Sequence, residues 1–296
     1  MRPHAVAAPV SAKRPLLVDT MTMGEAMGVI LRECLAQIGA NVPAVVEARN
    51  GEGLHQLRVG LRRLRTALRL TGAEALEARA KAIITTIGAA RDLDVFRDEM
   101  FAPAVEALGP RRGFELLAER IAHRHEAAWQ TTIGHVTDPQ FVVFHNDVSS
   151  FADTCREDAP VMEAAPALLD HARRKAKQRG RHFASLDPAA RHRLRIALKR
   201  LRYAGEFFAP LYSTKRVKHW LEPLKTLQDE LGHLNDIAQV RVMVGRLLLE
   251  EAESASVQAD LSHAAGLLQG FYQTQALAEK TGKRWKAFRD SDPYWI

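Results

Sequence analysis

Two segments of the chain combine evenly spaced cations with a leading histidine. The first, HQLRVGLRRLRTALRL from His55, contains five arginines and no acid. At about 100° per residue, its basic residues fall on one arc of a helix and its leucines on the neighbouring arc. This first basic stripe consists of His55, Arg58, Arg62, Arg65 and Arg69. One helical turn rises about 5.4 Å, so the stripe offers a charge at short regular intervals, which suits a ligand with closely spaced negative charges.

A second segment, HRLRIALKRLRYAGEF from His192, repeats this pattern. Glu206 stands where the first copy has its fifth cation, Arg69. If the two copies pack about a pseudo-twofold axis, their stripes face each other across a basic groove or pore. The second stripe consists of His192, Arg195, Lys199 and Arg202. Further candidates on neighbouring helices are Arg174, Lys177 and Arg181 on one face, and Lys218 and Lys225 on another.

The charge of the chain is concentrated around the second copy. The whole chain has a net charge of +7. Residues 171–225 contain 16 Lys and Arg against three acids, Asp187, Glu206 and Glu222. A solvated face with internal ion pairs is the ordinary alternative. Like charges at i+4 destabilise a helix, however, and the stripes have no acid at that spacing except Glu206, so the pattern favours a polyanionic ligand.

The elements that must position these stripes are helices. Helix-start signals are frequent, including a capping box at Thr22–Glu25 and Asp-Pro pairs at Asp138 and Asp187, whereas strand signals are nearly absent. The spacing predicts an all-α fold of nine or ten helices. A second repeated block, IGAARDLDVFR from Ile87 and LGHLNDIAQVR from Leu231, follows the stripes in the same order and indicates an internal duplication.

The repeats divide the chain into three predicted parts. We expect a loose tail over residues 1–20, a first repeat over residues 21–159 and a second over residues 160–296, with the boundary near Ala159–Pro160. Cys34 and Cys155 have no metal-ligand spacing, so they are expected to be free thiols. No signal peptide and no membrane-spanning apolar run is expected.

The segments LHQLRVGLRRLR, RHRLRIALKRLRYAGEFF and LGHLNDIAQV resemble the CHAD family, the conserved histidine α-helical domain. The resemblance extends from about Met21 to the C-terminus. It implies two pseudo-symmetric four-helix bundles that bind inorganic polyphosphate along a basic central surface. It also implies binding roles for His55, Arg58, Arg62, Arg63 and Arg65, and for His192, Arg195, Lys199 and Arg202. The ExExK strand of the triphosphate-tunnel domain that often accompanies this family does not occur here.

The expected function is therefore polyphosphate binding in the cytoplasm, with targeting to polyphosphate granules. Non-specific nucleic-acid binding is the first alternative, although aromatic residues make up only 6% of the chain. A polyphosphate-processing enzyme is the second, with Asp92, Asp94 and Asp236 as its carboxylates. Asp92 and Asp94 are two apart and diverge on a helix, so Asp92 and Asp236 are instead expected to orient arginines or to cap a helix. No catalytic residue, metal, cofactor or membrane partner is predicted.

Overall fold

A computed structural model describes residues 8–250, 254–273 and 278–296. Helices account for the regular structure of these residues, and the only β pairing within them is an isolated antiparallel bridge between Thr22 and Pro160. The α-helices are α1 (Met23–Val46), α2 (Gly51–Leu70), α3 (Glu74–Thr86), α4 (Gly88–Val95), α5 (Ala102–Leu108), α6 (Arg112–Thr137), α7 (Pro139–Thr154), α8 (Val161–Arg179), α9 (Pro188–Phe208), α10 (Thr214–Leu248), α11 (Ala255–Gln273) and α12 (Ala278–Asp290). A π-helical segment, Phe96–Phe101, links α4 to α5, and 3-10 turns occupy Phe183–Ser185 and Ala209–Leu211.

The all-α prediction is confirmed, and the described helices outnumber the nine or ten expected. Part of this difference in helix number arises in the second repeated block, where the helix is broken in the first copy and continuous in the second. In the first copy α3 ends at Thr86 and α4 begins at Gly88, whereas in the second copy α10 continues for 35 residues with Pro223 inside it. Helix α9 begins behind Asp187, as the Asp-Pro pair predicted, and α2 begins behind Asn50, whose side chain accepts from the Gly53 N–H.

Two hydrophobic cores hold the helices together, and each draws on both predicted repeats. The larger core joins α1, α2 and α7 to α8, α9, α12 and the first half of α10. The smaller core joins residues 96–121 to residues 240–272. The cores therefore do not follow the boundary predicted at Ala159–Pro160. Backbone hydrogen bonds from Met23 to Ala159 and from Val161 to Met21 also tie the two predicted repeats together at their first helices.

Residues 8–20 differ from the loose tail that the sequence predicted; residues 1–7 lie outside the described chain. The backbone N–H of Val10 donates to Oδ1 of the buried Asn41, whose side-chain amide donates back to the Val10 carbonyl. Leu17 is buried in the larger core. We call residues 8–20 the N-terminal strap. It packs onto the helices because the buried Asn41 amide pairs with the Val10 backbone and Leu17 is buried in the core.

Helix α1 is long and apolar enough to cross a bilayer by length and composition, with a mean hydropathy of 1.4 over its best window. The sequence-based expectation that no apolar run approaches a membrane span is therefore wrong for Met23–Val46. Half of that window is buried inside the protein, mainly against α2 and α7. Such burial is what the core helix of a helical bundle shows.

Candidate anion-binding surface

Helix α2 carries the first stripe, and its leucines fix its rotation in the bundle. Gly60 allows close packing on α1, because a Cβ there would lie 2.9 Å from Cγ1 of Ile38. The fully buried leucines are Leu54, Leu57, Leu61, Leu64 and Leu68. Helix α9 is anchored in the same way by Leu194, Leu198 and Leu201. The buried leucines therefore fix the rotation of α2 and α9, and the basic residues on the arc beside the leucines remain available to a ligand.

The structure brings the middle of the two stripes together. Five residues form what we call the central cluster: His55, Arg62, Arg195, Lys199 and Arg202. The pKa of Lys199 is lowered to about 6, first by burial and then by the guanidinium groups of Arg195, Arg62 and Arg202. The carboxylate of Asp236 opposes these effects. Lys199 is thus surrounded by cations from both helices.

Two further groups show that Arg62 lies between the helices. Burial lowers the pKa of Arg195 on α9, and the charge of Arg62 lowers it further. Burial also lowers the pKa of His55 on α2, where Arg91, Arg62 and Lys199 act in the same direction. Arg91 of α4 was not among the candidates from the sequence. Arg91 acts on His55 because α4 packs against α2, a contact that the spacing of residues along one helix does not indicate.

The central cluster has few acids to neutralise it. Within the described residues, no carboxylate oxygen lies within 4 Å of Arg62, Arg195 or Lys199. Arg202 lies 3.8 Å from Glu206, and its Nε is buried without a hydrogen-bond partner, as is Nε of Arg195. Buried donors without partners destabilise a protein unless a ligand or water satisfies them. The cluster is therefore suited to an anion with several acceptor oxygens.

Arg58 is not part of this accessible surface. Its side chain is only 6% exposed, and one Nη donates to the Gly88 carbonyl while the other lies 3.2 Å from Asp92. Arg58 therefore reaches the backbone where α4 begins, at its first residue. Arg58 thus connects α2 to α4, and these contacts occupy donors that the sequence interpretation had assigned to a ligand.

Arg63 is also committed to the fold. Its side chain is 6% exposed, its Nη1 lies 2.9 Å from Oε2 of Glu206, and its guanidinium lies over the Phe207 ring at 4.9 Å. This contact joins α2 to α9 across the two predicted repeats. The resemblance implied a binding role for Arg63; one of its donors is engaged by Glu206, and the residue also lines the cavity formed by Lys225, Arg202 and Glu206.

Arg65 and Arg69 belong to the stripe in sequence but face another neighbourhood. Nε of Arg65 donates to Glu77 of α3 at 2.7 Å, and Nη1 of Arg69 lies 3.9 Å from the same oxygen. Both arginines lower the pKa of Arg200 on the side of α9 away from Lys199. They therefore lie outside the central cluster.

The remaining basic candidates are dispersed. Arg174 is exposed on α8, and Arg181 is exposed beyond the end of that helix, which finishes at Arg179. Burial lowers the pKa of Lys177, and Arg173 of α8 and Arg289 of α12 add to this effect. Lys218 is exposed and lies 3.7 Å from Glu222. The predicted common face of Arg174, Lys177 and Arg181 is therefore not formed.

Lys225 is the exception, because it lines a cavity that continues from the central cluster. This cavity of about 500 Å³ is also lined by Arg202, Glu206 and two cations of the N-terminal strap, Lys13 and Arg14. The sequence interpretation missed Lys13 and Arg14 because it treated residues 1–20 as a loose tail. The backbone anchor at Asn41 is what brings them here.

The second stripe begins with an exposed histidine held by the repeated block. Nδ1 of His192 lies 3.0 Å from Oδ1 of Asn235, and the Asn235 amide donates to Asp236 at 3.4 Å. Asp236 raises the pKa of both Arg195 and Lys199 against the stronger effect of burial. Asp92 contacts Arg58 of the first stripe, and Asp236 acts on Arg195 and Lys199 of the second.

The carboxylates considered for catalysis are separated. Asp94 is buried, accepts from Nε1 of Trp129 at 3.3 Å and contacts Nε2 of His125 at 2.7 Å, whereas Asp92 is exposed and holds Arg58. Among the described residues no group of three or more His, Cys, Asp or Glu could hold a metal ion. Asp94 therefore belongs to a packing network between α4 and α6 that the sequence did not reveal.

The family model of the CHAD domain matches residues 29–245, about three quarters of the chain. The chain belongs to the CHAD family. Its fold is similar to the crystal structure of the CHAD domain from the plant Ricinus communis, with a TM-score of 0.83 and 28% identity over 96% of this chain and 98% of that one. PptA from Streptomyces chartreusis is similar in fold, with a TM-score of 0.65 and 14% identity over 92% of this chain and 100% of that one. No curated protein matches this CHAD chain.

Proposed function

We propose that this CHAD protein binds inorganic polyphosphate through the central cluster and the adjoining cavity. The observation that carries the proposal is the meeting of Arg62, Arg195 and Lys199 from two helices with no carboxylate within 4 Å in the described residues. CHAD domains are a family associated with polyphosphate binding. A chain of linked phosphates supplies an oxyanion at each short interval, which matches cations spaced along a helical arc.

The same surface is less suited to single-stranded nucleic acid. Such binders combine basic grooves with exposed aromatic side chains on which bases stack. The aromatic residues of the second stripe, Tyr203, Phe207 and Phe208, are all buried in the core. Charge alone still attracts duplex DNA, so duplex DNA is the competitor that a test must include.

We further propose that binding is not followed by turnover and that it places the protein on polyphosphate granules in the cytoplasm. The separation of Asp92 from Asp94 supports the first part, since phosphoryl transfer needs carboxylates that converge on Mg²⁺. The number of cations on the surface supports placement on granules, because many charge-assisted contacts along one polyphosphate chain give a high affinity.

A competition experiment tests the proposal. Labelled long-chain polyphosphate is bound to the wild type and displaced with unlabelled polyphosphate or duplex DNA at physiological salt. The variant Arg62→Ala/Lys199→Ala should lose at least tenfold in affinity, because two charge-assisted contacts contribute about 1.5–3 kcal/mol each. The control, Arg156→Ala/Lys215→Ala, likewise removes one arginine and one lysine, both at exposed positions, and should bind like the wild type.

Three outcomes would count against the proposal. Equal displacement by duplex DNA would favour the nucleic-acid function. Unchanged affinity in the folded Arg62→Ala/Lys199→Ala variant would exclude the central cluster as the site. Phosphate released during incubation with Mg²⁺ would favour the enzyme alternative.

A further inference from the structure

The last position of the stripe pattern is an arginine, Arg69, in the first copy and a glutamate, Glu206, in the second. The repeat alignment places Arg63 with Arg200 and Glu206 with Arg69. On one side of the α2–α9 crossing, Glu206 pairs with Arg63 at 2.9 Å. On the other side the same two positions hold Arg200 and Arg69, two cations. The carboxylate that neutralises the first side is thus replaced by an arginine on the second.

Charges from three other elements face Arg200 as well. We call Arg69, Lys175, Arg179 and Arg200 the lateral cluster. The pKa of Arg200 is lowered to about 10, first by burial and then by Arg69 and Arg65 of α2 and Arg179 of α8. Lys175 of α8 has a lowered pKa for the same reasons, first burial and then Arg69, Arg179 and Arg200.

One acid faces the cluster, Glu77 of α3, and it is already engaged. Its Oε1 accepts from Nε of Arg65 at 2.7 Å and lies 3.9 Å from Nη1 of Arg69. Nη1 of Arg179 donates to the Arg193 carbonyl at 2.9 Å, which holds that guanidinium beside α9. Arg200 has no carboxylate within 4 Å among the residues described.

We propose that the lateral cluster is a second oxyanion site, which takes a phosphate group in the place of the carboxylate missing at position 69. The site is distinct from the central cluster. Lys199 and Arg200 are neighbours on α9 and point about 100° apart. The cations that act on Lys199 are Arg195, Arg62 and Arg202, none of which belongs to the lateral cluster. The inference deepens the proposed function, on which it rests for the class of ligand.

Inorganic pyrophosphate is a probe small enough to report on each cluster separately. Calorimetric titration should give two bound pyrophosphates for the wild type. Arg69→Glu restores the missing carboxylate opposite Arg200 and should reduce the number to one. The matched control, Arg156→Glu, makes the same charge change in the exposed loop between α7 and α8 and should still bind two.

A second variant separates binding from a purely structural role. Arg200→Met removes a partly buried cation without a carboxylate partner, so it should lose one pyrophosphate without lowering the melting temperature. If Arg200→Met melts at a lower temperature and still binds two pyrophosphates, the arginine is structural and the proposal is wrong. A wild type that binds one pyrophosphate, unaffected by Arg69→Glu, would overturn it equally.

Two comparisons keep this inference separate from the central site. Arg62→Ala/Lys199→Ala should retain the pyrophosphate of the lateral cluster; if it retains none while Arg69→Glu changes nothing, the central proposal stands and the lateral one fails. Long-chain polyphosphate then identifies the source of the phosphate. About tenfold weaker binding by Arg69→Glu means that one chain reaches both clusters, whereas unchanged binding assigns the lateral cluster to a separate phosphate compound.

Discussion

If the proposed polyphosphate binding takes place at the central cluster, the low pKa of Lys199 should make it dependent on pH. In the free protein its pKa is about 6, so at pH 8 only about 1% of the molecules carry a charge on this lysine. A bound phosphate chain brings negative charge next to the ammonium group and raises the pKa again. Binding at pH 8 must therefore take up about one proton at Lys199.

The size of the effect follows from this linkage. Between pH 6 and the pKa in the complex, uptake of one proton weakens the affinity about tenfold for each pH unit. The pH dependence of folding stability has the opposite sign to that of binding affinity. The unfolded chain, with an ordinary lysine pKa, holds the proton that the folded protein has released, so the free energy of unfolding rises as the pH rises above 6.

Calorimetry in two buffers of different ionisation enthalpy measures the proton uptake directly. The wild type should take up about one proton more at pH 8 than Lys199→Arg, in which the charge is permanent. The terminal phosphates of the ligand titrate equally in both titrations and cancel. Lys225→Arg, at an exposed position of the adjoining cavity, is the control and should behave like the wild type. Equal proton uptake by the wild type and Lys199→Arg would refute the reasoning.

Two further predictions concern the buried arginines. Glu206→Gln should lower the free energy of unfolding in urea by about 3 kcal/mol, because it leaves Arg63 buried without its charged partner. The control Asp153→Asn breaks an exposed ion pair and should lower it by less than about 1 kcal/mol. Equal losses in the two variants would contradict this account. Arg58→Ala should also destabilise the protein in urea, by about 1–3 kcal/mol, because it leaves the Gly88 carbonyl without its side-chain donor. A loss of polyphosphate affinity at unchanged stability would show instead that Arg58 binds the ligand.

The pattern of leucines and cations was sufficient to predict the stripe helices and the side on which they are anchored. Leucines spaced by three and four have one way to be buried, and the arc beside them then carries the arginines. The positions of Arg62 and Lys199 follow from this geometry, provided that the two helices meet. The sequence pattern therefore indicated which cations meet between α2 and α9.

The roles of Arg58, Arg63 and Arg200 could not be predicted in this way. Each depends on a partner far away in the chain: the Gly88 carbonyl for Arg58, a carboxylate 143 residues away for Arg63, and cations on α8 and α2 for Arg200. A helical wheel gives the direction of a side chain and says nothing about which helix lies there. The strap residues were missed for a related reason, since one buried asparagine decides the path of that segment.

The shared cores have a consequence for how the basic surface is maintained. Each core takes residues from both sides of Ala159–Pro160, so a chain cut at that point would give two fragments with exposed apolar surface. Such fragments would regain the fold only by associating with each other, and the amount of intact surface would then depend on protein concentration. The continuous chain removes that dependence. The cations of α2 and α9 therefore remain opposed even when the protein is dilute.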